Sequence, residues 1–301
     1  MRALLVFNPN ATTTTDHVRD VVTSALASQV ELDVQATKQR GHAIHLAAGA
    51  VHEGVDAVFA LGGDGTANEV IQGLAGTQVA MAHIPGGGTN VFARTLGLPN
   101  DTVAATSVLL DRLRTGQRRR ISLGRAGGRY FAFQAGFGFD AAVVRLVERR
   151  PRLKRRLRQL AFVECAFEQW LRSLDERGDL HVRLDDGTDV GPYRVTIVGN
   201  TDPYTFLGPR PMRVTPQASY DTGLDLVGVR PVSTAGILAI ALRVFTTAGH
   251  VRDRNVDHWH DLSGLTLHSP HPQPLMVDGD FAGEHHEVRL DAVRDALTVL
   301  A

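Results

Sequence analysis

Short apolar runs alternate with helical segments along the N-terminal part of the chain, and this alternation constrains the fold more than any other feature. Strand-like runs lie at residues 2–7, 30–36, 55–61 and 79–84; the run at 30–36 alternates apolar and polar residues, and the others are mainly apolar. Helical periodicity fills the intervals, at residues 16–26, 41–54, 66–74 and 90–96. Strands that alternate with helices form βαβ units, whose parallel sheet is covered on both faces. We therefore predict an open α/β domain over residues 1 to about 120.

The pattern changes after residue 120, where short strand-like runs are separated by turn residues. This spacing is typical of an antiparallel β-sandwich. Helical stretches at residues 141–176 and 233–248 interrupt it. We predict a β-sandwich substrate domain over residues 121–290 and a return of residues 291–301 to the α/β domain. Ligands of open α/β sheets bind beyond the carboxyl ends of the strands, so we expect the active site in a cleft between the domains.

Composition excludes several classes of protein. The 32 basic and 32 acidic residues balance, so there is no general attraction to nucleic acid. The single cysteine, Cys165, excludes an internal disulfide framework and fits a reducing compartment. The N-terminus does not resemble a secretory signal, and the longest apolar stretch, residues 235–242, is too short to cross a bilayer. We expect a cytoplasmic protein that at most associates peripherally with the inner face of a membrane.

A glycine-rich loop follows the third strand-like run. Residues 60–70 read ALGGDGTANEV, with Gly62, Gly63 and Gly65 around Asp64. The spacing of Thr66 and Glu69 matches a capping box, so we predict that a helix has its N-cap at Thr66. Free backbone N–H groups at a helix N-terminus bind anions, and phosphate is the natural ligand. A tight strand-to-helix turn without a ligand is the alternative.

The carboxylate of Asp64 would repel a phosphate unless a cation lay between them. Mg²⁺ is commonly held by one or two carboxylates together with phosphate oxygens, so the loop predicts a nucleoside-triphosphate site with Mg²⁺. A similar loop recurs in IPGGGTNVFARTLGLP, and a weaker one in FNPNATTTT after the first strand. Neither a Walker A sequence nor a protein-kinase H-R-D motif is present. GFGFDA at residues 136–141 is a weak dinucleotide-binding match and is more typical of a loop bordering the cleft.

The ordered set LGGDGTANEVIQGL, PGGGTNVFARTLGLP, AGFGFDA and VDGD resembles the diacylglycerol kinase catalytic-domain family, which includes bacterial soluble diacylglycerol kinases and relatives of sphingosine kinase. The resemblance implies a nucleotide-binding domain of the NAD kinase and diacylglycerol kinase type, followed by a β-sandwich. It also implies that ATP is the phosphate donor and that Mg²⁺ accompanies it. By motif position, the nucleotide contacts would be Asn8, Pro9, Asn10, Thr37, Gly62, Gly63, Asp64, Gly65, Thr66, Asn68, Gly88 and Thr89.

The late Asp278–Gly279–Asp280 motif lies where the family carries Asp-Gly-Glu and its general base. The resemblance implies a catalytic role for Asp280, with Asp278 as an active-site partner and Asp64 organising Mg²⁺. Either Asp278 or Asp280 could accept the proton of a lipid hydroxyl. A plain Asp-Gly hairpin turn is the alternative.

Several positions depart from the family pattern. Gly88 stands where a hydroxyl residue is usual, beside Thr89, and both Val91 and Ser122 stand where some members have an acid. Thr222 replaces the aspartate expected at a structural metal site, which leaves Asp221 as the remaining metal candidate there.

The run RRPRLKRRLR, from Arg149 to Arg158, carries seven basic groups and precedes an apolar helical pattern. A basic cluster beside an apolar helix fits binding to an anionic membrane surface, although a solvated helix face is an equal alternative. We expect no nucleic-acid partner, because no aromatic residues are interleaved with the arginines. The histidine groups at residues 257–261 and 284–287 lack a spacing typical of zinc.

Three functions remain open at this point. The first is an ATP-dependent lipid kinase, with diacylglycerol as substrate and phosphatidic acid as product. The second is a kinase of a soluble substrate such as NAD. The third is a non-catalytic lipid or nucleotide-binding relative, and for each of them a homodimer is possible.

Overall fold

The computed structural model describes residues 1–11, 14–150, 164–166, 168–169 and 178–301. The chain divides into two compact units. The first contains Met1–Leu123 and Val293–Ala301, and the second contains Gly124–Ala292. That one unit binds nucleotide and the other binds substrate stays a prediction.

The first unit contains a parallel sheet with the order β2-β1-β3-β4. Its strands are β1 Arg2–Phe7, β2 Glu31–Ala36, β3 Ala57–Gly62 and β4 Ala80–Pro85. Every residue of β3 and β4 is buried, as expected for central strands covered on both faces. Near the C-terminus, Thr298 and Val299 pair in parallel with Ala80 and Met81.

The helices of the first unit follow the predicted alternation. They are α1 Asp16–Ala27, α2 His42–His52, α3 Asp64–Leu74, α4 Val91–Thr95 and α5 Thr102–Thr115. Helix α5 was not predicted from the sequence, although Asp101 caps its N-terminus through the N–H of Ala104 and Gly116 ends it in the left-handed conformation. Both are standard helix-boundary signals.

The predicted capping box at Thr66 is wrong. Helix α3 begins at Asp64 and has Gly63 as its N-cap residue. The carboxylate of Glu69 turns away from its own helix and accepts hydrogen bonds from the N–H groups of Gly41 (2.8 Å) and Ala43 (3.1 Å). These groups lie at the start of α2, where Gly41 supplies no side chain, so α3 caps its neighbour instead of itself.

The second unit is rich in antiparallel strands, as predicted. Most of them follow the order β14-β13-β10-β7-β15-β16, and β8 pairs with both β15 and β9. The long strands β15 Gly264–Val277 and β16 Asp280–Val299 meet at a hairpin. The remaining strands are β5 Arg119–Ala126, β6 Arg129–Phe131, β7 Gln134–Gly138, β8 Leu180–Leu184, β9 Asp189–Tyr193, β10 Val195–Gly199, β11 Thr205–Leu207, β12 Arg210–Met212, β13 Leu224–Val229 and β14 Val256–Leu262.

Two helices are described in full in the second unit, α6 Phe139–Glu148 and α7 Thr234–Thr246. The 3₁₀ turn Gly249–Arg252 follows α7. Strand β7, which precedes α6, has antiparallel neighbours on both sides, so GFGFDA does not open a parallel dinucleotide-binding unit. Within the described part of the chain, no helix has the length and apolar character needed to span a membrane.

Candidate active site

The predicted nucleotide-contacting residues of the first unit follow the carboxyl ends of four neighbouring parallel strands. The N–H of Asn8, which follows β1, donates to the carbonyl of Leu61 near the end of β3 (3.1 Å). The N–H of Thr37, which follows β2, donates to the carbonyl of Phe7 (2.9 Å). Gly62 at the end of β3 is in register with Pro85 at the end of β4. The loops predicted from separate stretches of sequence therefore meet at one edge of the sheet.

The first glycine loop (Gly62–Gly65) and the second glycine loop (Gly86–Gly88) pack backbone against backbone. The N–H of Gly86 donates to the carbonyl of Gly62 at 2.8 Å. A Cβ atom on Gly87 would lie 2.8 Å from the Cα of Gly63, which is closer than real Cβ contacts allow. Glycine is therefore needed at these positions so that the two loops can touch.

At Gly65 and Gly88, packing of the protein does not require a glycine. A Cβ atom on Gly65 or on Gly88 would meet no protein atom within 4 Å, and both residues are exposed. The open space lies beside the N-terminus of α3, where backbone N–H groups and the helix dipole favour an anion. A phosphate group therefore fits this part of the loops on steric and electrostatic grounds.

Thr66 and Asn68 point into the protein rather than toward this space. Both are buried, and a Cβ atom on Gly62 would lie 2.6 Å from the hydroxyl oxygen of Thr66. Nearby, the hydroxyl of Thr14 is buried without a hydrogen-bond partner and lies against Gly86. Direct nucleotide contacts by the side chains of Thr66 and Asn68 stay a prediction.

The carboxylate of Asp64 joins the first glycine loop to α4. Its Oδ1 accepts a hydrogen bond from the N–H of Phe92 at 3.0 Å, in the first turn of that helix. Asp64 itself is half-buried in the first turn of α3. A single carboxylate in this position fits Mg²⁺ binding, since Mg²⁺ usually takes one or two protein carboxylates and completes its shell with phosphate oxygens and water.

Asn90 closes the second glycine loop. It adopts the left-handed conformation with φ of 51°, and its side-chain amide bonds both the N–H and the carbonyl of Gly87. Its amide nitrogen also donates to the side chain of Asn100. This bonding leaves Gly88 exposed and Thr89 half-exposed at the tip of the loop.

His83 is a residue of this region that the sequence analysis missed. It is fully buried on β4, and its Nε2–H donates to the carbonyl of Gly62 at 3.0 Å, which places the proton on that nitrogen. Its Nδ1 is buried without a partner. Burial lowers the pKa of His83, while the charge of Asp64 and the Gly62 hydrogen bond act against that shift. No motif in the sequence points to a histidine here.

The two aspartates of the late motif have different surroundings in the second unit. The carboxylate of Asp278 accepts hydrogen bonds from three successive backbone N–H groups, those of Ala132 (2.7 Å), Phe133 (2.8 Å) and Gln134 (3.2 Å). Asp278 and Gly279 both have positive φ and form the two-residue turn between β15 and β16. The hairpin anticipated as the alternative is therefore present, and Asp278 anchors it to another segment.

Asp280 is the first residue of β16, directly after this turn. Its Oδ2 lies 2.7 Å from the Nη2 of Arg129 on β6, and both side chains are about 30% exposed. Its described partner is a side chain, whereas the described partners of Asp278 are backbone amides. That Asp280 is the catalytic base stays a prediction.

Asp140 is a second residue that the sequence analysis did not single out. The hydroxyl of Tyr204 donates to both of its carboxylate oxygens, at 2.9 and 3.1 Å. Desolvation of the carboxylate raises the pKa of Asp140 to about 6, although the residue keeps partial surface exposure. Its place at the end of AGFGFDA was visible in the sequence, but its partner Tyr204 was not.

The residues described by the structure contain no group of three or more histidine, cysteine or acidic side chains arranged to hold a metal ion. The turn at Asp221 is closed by hydroxyl groups, because Thr222 Oγ1 donates to the carbonyl of Ser219 at 3.0 Å. A metal-binding role for Asp221 stays a prediction.

The N-terminal part of the chain, which contains the glycine loops, matches a known protein family. Residues 2–126 match the family model described as the diacylglycerol kinase catalytic domain. This part of the chain is similar to the diacylglycerol kinase catalytic domain. The matched region contains both glycine loops, Asp64 and the four strand ends described above, which confirms the resemblance seen in the motifs.

Named relatives match over nearly the whole chain. A diacylglycerol kinase from Bacillus subtilis is 27% identical over 290 residues, which cover 94% of this chain and 90% of the relative. One from Staphylococcus saprophyticus is 25% identical with the same coverage of both chains. The fold is similar to that of a crystal structure described as a diacylglycerol kinase from Bacillus anthracis, with a TM-score of 0.75 and 22% identity over 99% of this chain and 96% of that one.

Proposed function

We propose that the chain is an ATP-dependent lipid kinase that phosphorylates the primary hydroxyl of diacylglycerol and releases phosphatidic acid. The observation that carries this proposal is the pair of glycine loops in the matched region, which leave open space at Gly65 and Gly88 beside the start of α3. The relatives named diacylglycerol kinase support the choice of acceptor.

In this proposal, ATP binds at the carboxyl edge of the parallel sheet. The loop after β1 contributes Asn8, Pro9 and Asn10, and Thr37 follows β2. Backbone amides of the glycine loops hold the phosphate groups, with Thr89 at the tip of the second loop. Mg²⁺, when bound, neutralises phosphate charge, and Asp64 is the residue that would hold it.

Asp280 is the proposed general base. A base must accept the proton of the lipid hydroxyl as the phosphoryl group is transferred, so it needs carboxylate oxygens that a ligand can approach. Three backbone N–H groups already occupy the oxygens of Asp278, whose role is to fix the turn. Arg129 orients Asp280 through its 2.7 Å ion pair.

A lipid substrate requires the enzyme to reach a bilayer, and we propose peripheral association with the cytoplasmic face of the membrane. The basic run from Arg149 to Arg158 is one proposed contact. Residues 151–158 of this run lie outside the described residues. Arg150 is described and forms an ion pair with Glu168 at 2.6 Å.

The function is tested with ATP labelled in its γ-phosphate and two acceptors, diacylglycerol in mixed vesicles and NAD in solution. We expect label in the lipid extract only, and a loss of about 10²- to 10⁴-fold in turnover for Asp280→Asn, because a positioned base contributes about that much. Asp189→Asn, a partly exposed aspartate elsewhere in the second unit, is the matched control and retains activity.

Label on NAD would favour a kinase of a soluble substrate. Absence of both labelled product and ADP release with every lipid alcohol tried would favour a non-catalytic relative. Either result contradicts the proposal.

A further inference from the structure

Helix α7 exposes an apolar stripe along one face. Leu238, Leu242 and Phe245 are 63%, 64% and 40% exposed, and their spacing of four and three residues places them on the same side of the helix. The exposed alanines 235, 239 and 241 add no polar group to the helix surface. Three large apolar side chains aligned on one face of a helix form a small contiguous apolar patch, which is a candidate contact surface.

The opposite face of α7 is fixed to the second unit. Ile240 and Val244 are buried in a cluster with Val214, Val227 and Val256, and Met212 of β12 packs against the same cluster. Ser233 caps the helix through the N–H of Gly236. The exposed stripe is therefore presented by an anchored helix, and its exposure does not come from a loosely attached segment.

The surroundings of α7 are basic, although the whole chain has no net charge. Residues 205–213 and 230–256 together contain six arginines and one aspartate. Three of these arginines form ion pairs, Arg243 with Asp253, Arg213 with Asp202 just before the first range, and Arg230 with Asp257 just after the second. Arg210 on the neighbouring strand β12, and Arg252 and Arg254 just after the helix, are exposed.

We propose that this face of α7, with the arginines around it, is a docking surface for an anionic lipid bilayer. An apolar stripe flanked by arginines matches the membrane interface, where acyl chains lie beneath negatively charged headgroups. The choice of a bilayer as the occupant rests on the proposed function, since a kinase of diacylglycerol must work where its substrate is held.

The size of the stripe argues against a second copy of the chain as the occupant. A helix of 13 residues is about 20 Å long and about 10 Å wide, so its face offers roughly 200 Å². A stable protein–protein interface buries about 800 Å² on each partner. Binding to a bilayer does not need an area of that size, because the attraction between the arginines and the anionic headgroups adds to the free energy gained by inserting three apolar side chains.

The test measures sedimentation of the full-length protein with vesicles of phosphatidylcholine and phosphatidylglycerol, without ATP or diacylglycerol. We expect the combined variant Leu238→Gln, Leu242→Gln and Phe245→Gln to bind vesicles about tenfold more weakly or worse, because apolar burial at the interface is lost. These side chains are exposed, so the variant should unfold at nearly the wild-type temperature. Val103→Gln on α5, a 46% exposed valine of the first unit, is the matched control and binds like the wild type.

The charged part of the surface is tested separately. We expect Arg210→Gln, Arg252→Gln and Arg254→Gln together to weaken binding to vesicles with phosphatidylglycerol. Binding to vesicles of phosphatidylcholine alone should be weak and should not change. Added salt should reduce the difference between the wild type and this variant.

Wild-type sedimentation by the α7 variant would overturn the proposal. A wild-type dimer that becomes a monomer in the α7 variant, seen by analytical ultracentrifugation, would overturn it in favour of a contact between copies. Because these readouts need no catalysis, failure of the kinase assay with intact vesicle binding would reject the proposed function and leave the docking surface standing.

Discussion

Two aspartates separated by one glycine have unequal chemistry because their carboxylates meet different partners. Asp278 has positive φ and accepts hydrogen bonds from three backbone N–H groups, whereas Asp280 forms an ion pair with the partly exposed Arg129. The first arrangement contributes to stability, and the second leaves a carboxylate accessible to a ligand. Local geometry therefore divides one short motif into a structural residue and a candidate base.

We predict that Asp278→Ala lowers the free energy of unfolding by roughly 3 kcal/mol, because buried N–H groups left without an acceptor cost about 1–3 kcal/mol each and are not fully additive. Asp280→Asn should change it by less than about 1 kcal/mol, since a partly exposed ion pair contributes little. Urea denaturation measures both. Normal stability of Asp278→Ala together with lost turnover would instead identify Asp278 as the base.

The sequence pointed to some residues of the candidate site and gave no signal for others. Asp64 was singled out as a candidate site residue because a carboxylate between glycines is conspicuous, but its hydrogen bond to the N–H of Phe92 was not foreseen. His83 and Tyr204 were missed because their partners, Gly62 and Asp140, are 21 and 64 residues away. A contact of that range leaves no local pattern in the sequence.

At the scale of elements, α2 and α3 are joined through a shared cap. The N-cap residue of α2 is the left-handed Gly41, which has no side chain to accept a hydrogen bond. Glu69 of α3 supplies the missing acceptor for the N–H groups of Gly41 and Ala43. A carboxylate near a helix N-terminus also interacts favourably with the helix dipole. The two helices are further packed at Gly73, where a Cβ atom would lie 2.7 Å from the Cβ of Ala47.

We predict that Glu69→Gln lowers the free energy of unfolding by about 1–2 kcal/mol, because one carboxylate oxygen and its charge are lost from the cap. Thermal and urea unfolding should agree on this loss. The control Glu31→Gln, at an exposed position on β2, should differ from the wild type by less than about 0.5 kcal/mol. Equal stability of the two variants would contradict the shared-cap interpretation.

Elements with strong periodicity were predicted well, and their boundaries less so. The four strands of the first unit and helices α1 to α4 were located, because buried runs and amphipathic spacing are local signals. The start of α3 was placed two residues late, since the Thr66 and Glu69 pattern fits a capping box in isolation. Only the presence of α2 beside it decides where the Glu69 carboxylate bonds.

At the scale of the whole molecule, buried ionisable groups give stability a dependence on pH. Burial raises the pKa of Asp140 and of Asp202 to about 6, above the ordinary value of 3.8. The stabilising contribution of each is complete below the unfolded-state pKa and is lost as pH rises through the folded-state pKa. Burial lowers the pKa of His83 and His250 from 6.5, so their contribution has the opposite sign and is lost as pH falls.

We predict that Asp140→Asn removes part of the decrease in the free energy of unfolding that the wild type shows as pH rises through about 6. Between about pH 4 and about pH 7, the wild type should lose between about 1 and 3 kcal/mol more stability than the variant, as expected for a pKa shift of this direction and size. Denaturation at a series of pH values measures the difference. Parallel curves for the two proteins would show that Asp140 does not titrate with a raised pKa.

The division into an α/β part and a β-rich part was also predictable, because the hydrophobic period changes near residue 120. The exposed apolar face of α7 was not predictable from the sequence. Its sequence, TAGILAIALRVFT, is apolar on nearly all sides, and only the packing of Ile240 and Val244 decides which side faces solvent.

The glycines of the two loops are under different constraints. A larger residue at Gly87 would push the loops apart, whereas a methyl group at Gly65 or Gly88 would fill space that the protein leaves open. Under the proposed function, substitution at the two open positions would alter which phosphate donor fits, at little cost to folding. If the donor binds there as proposed, its selectivity could diverge among descendants at these two positions while the architecture around them stays unchanged.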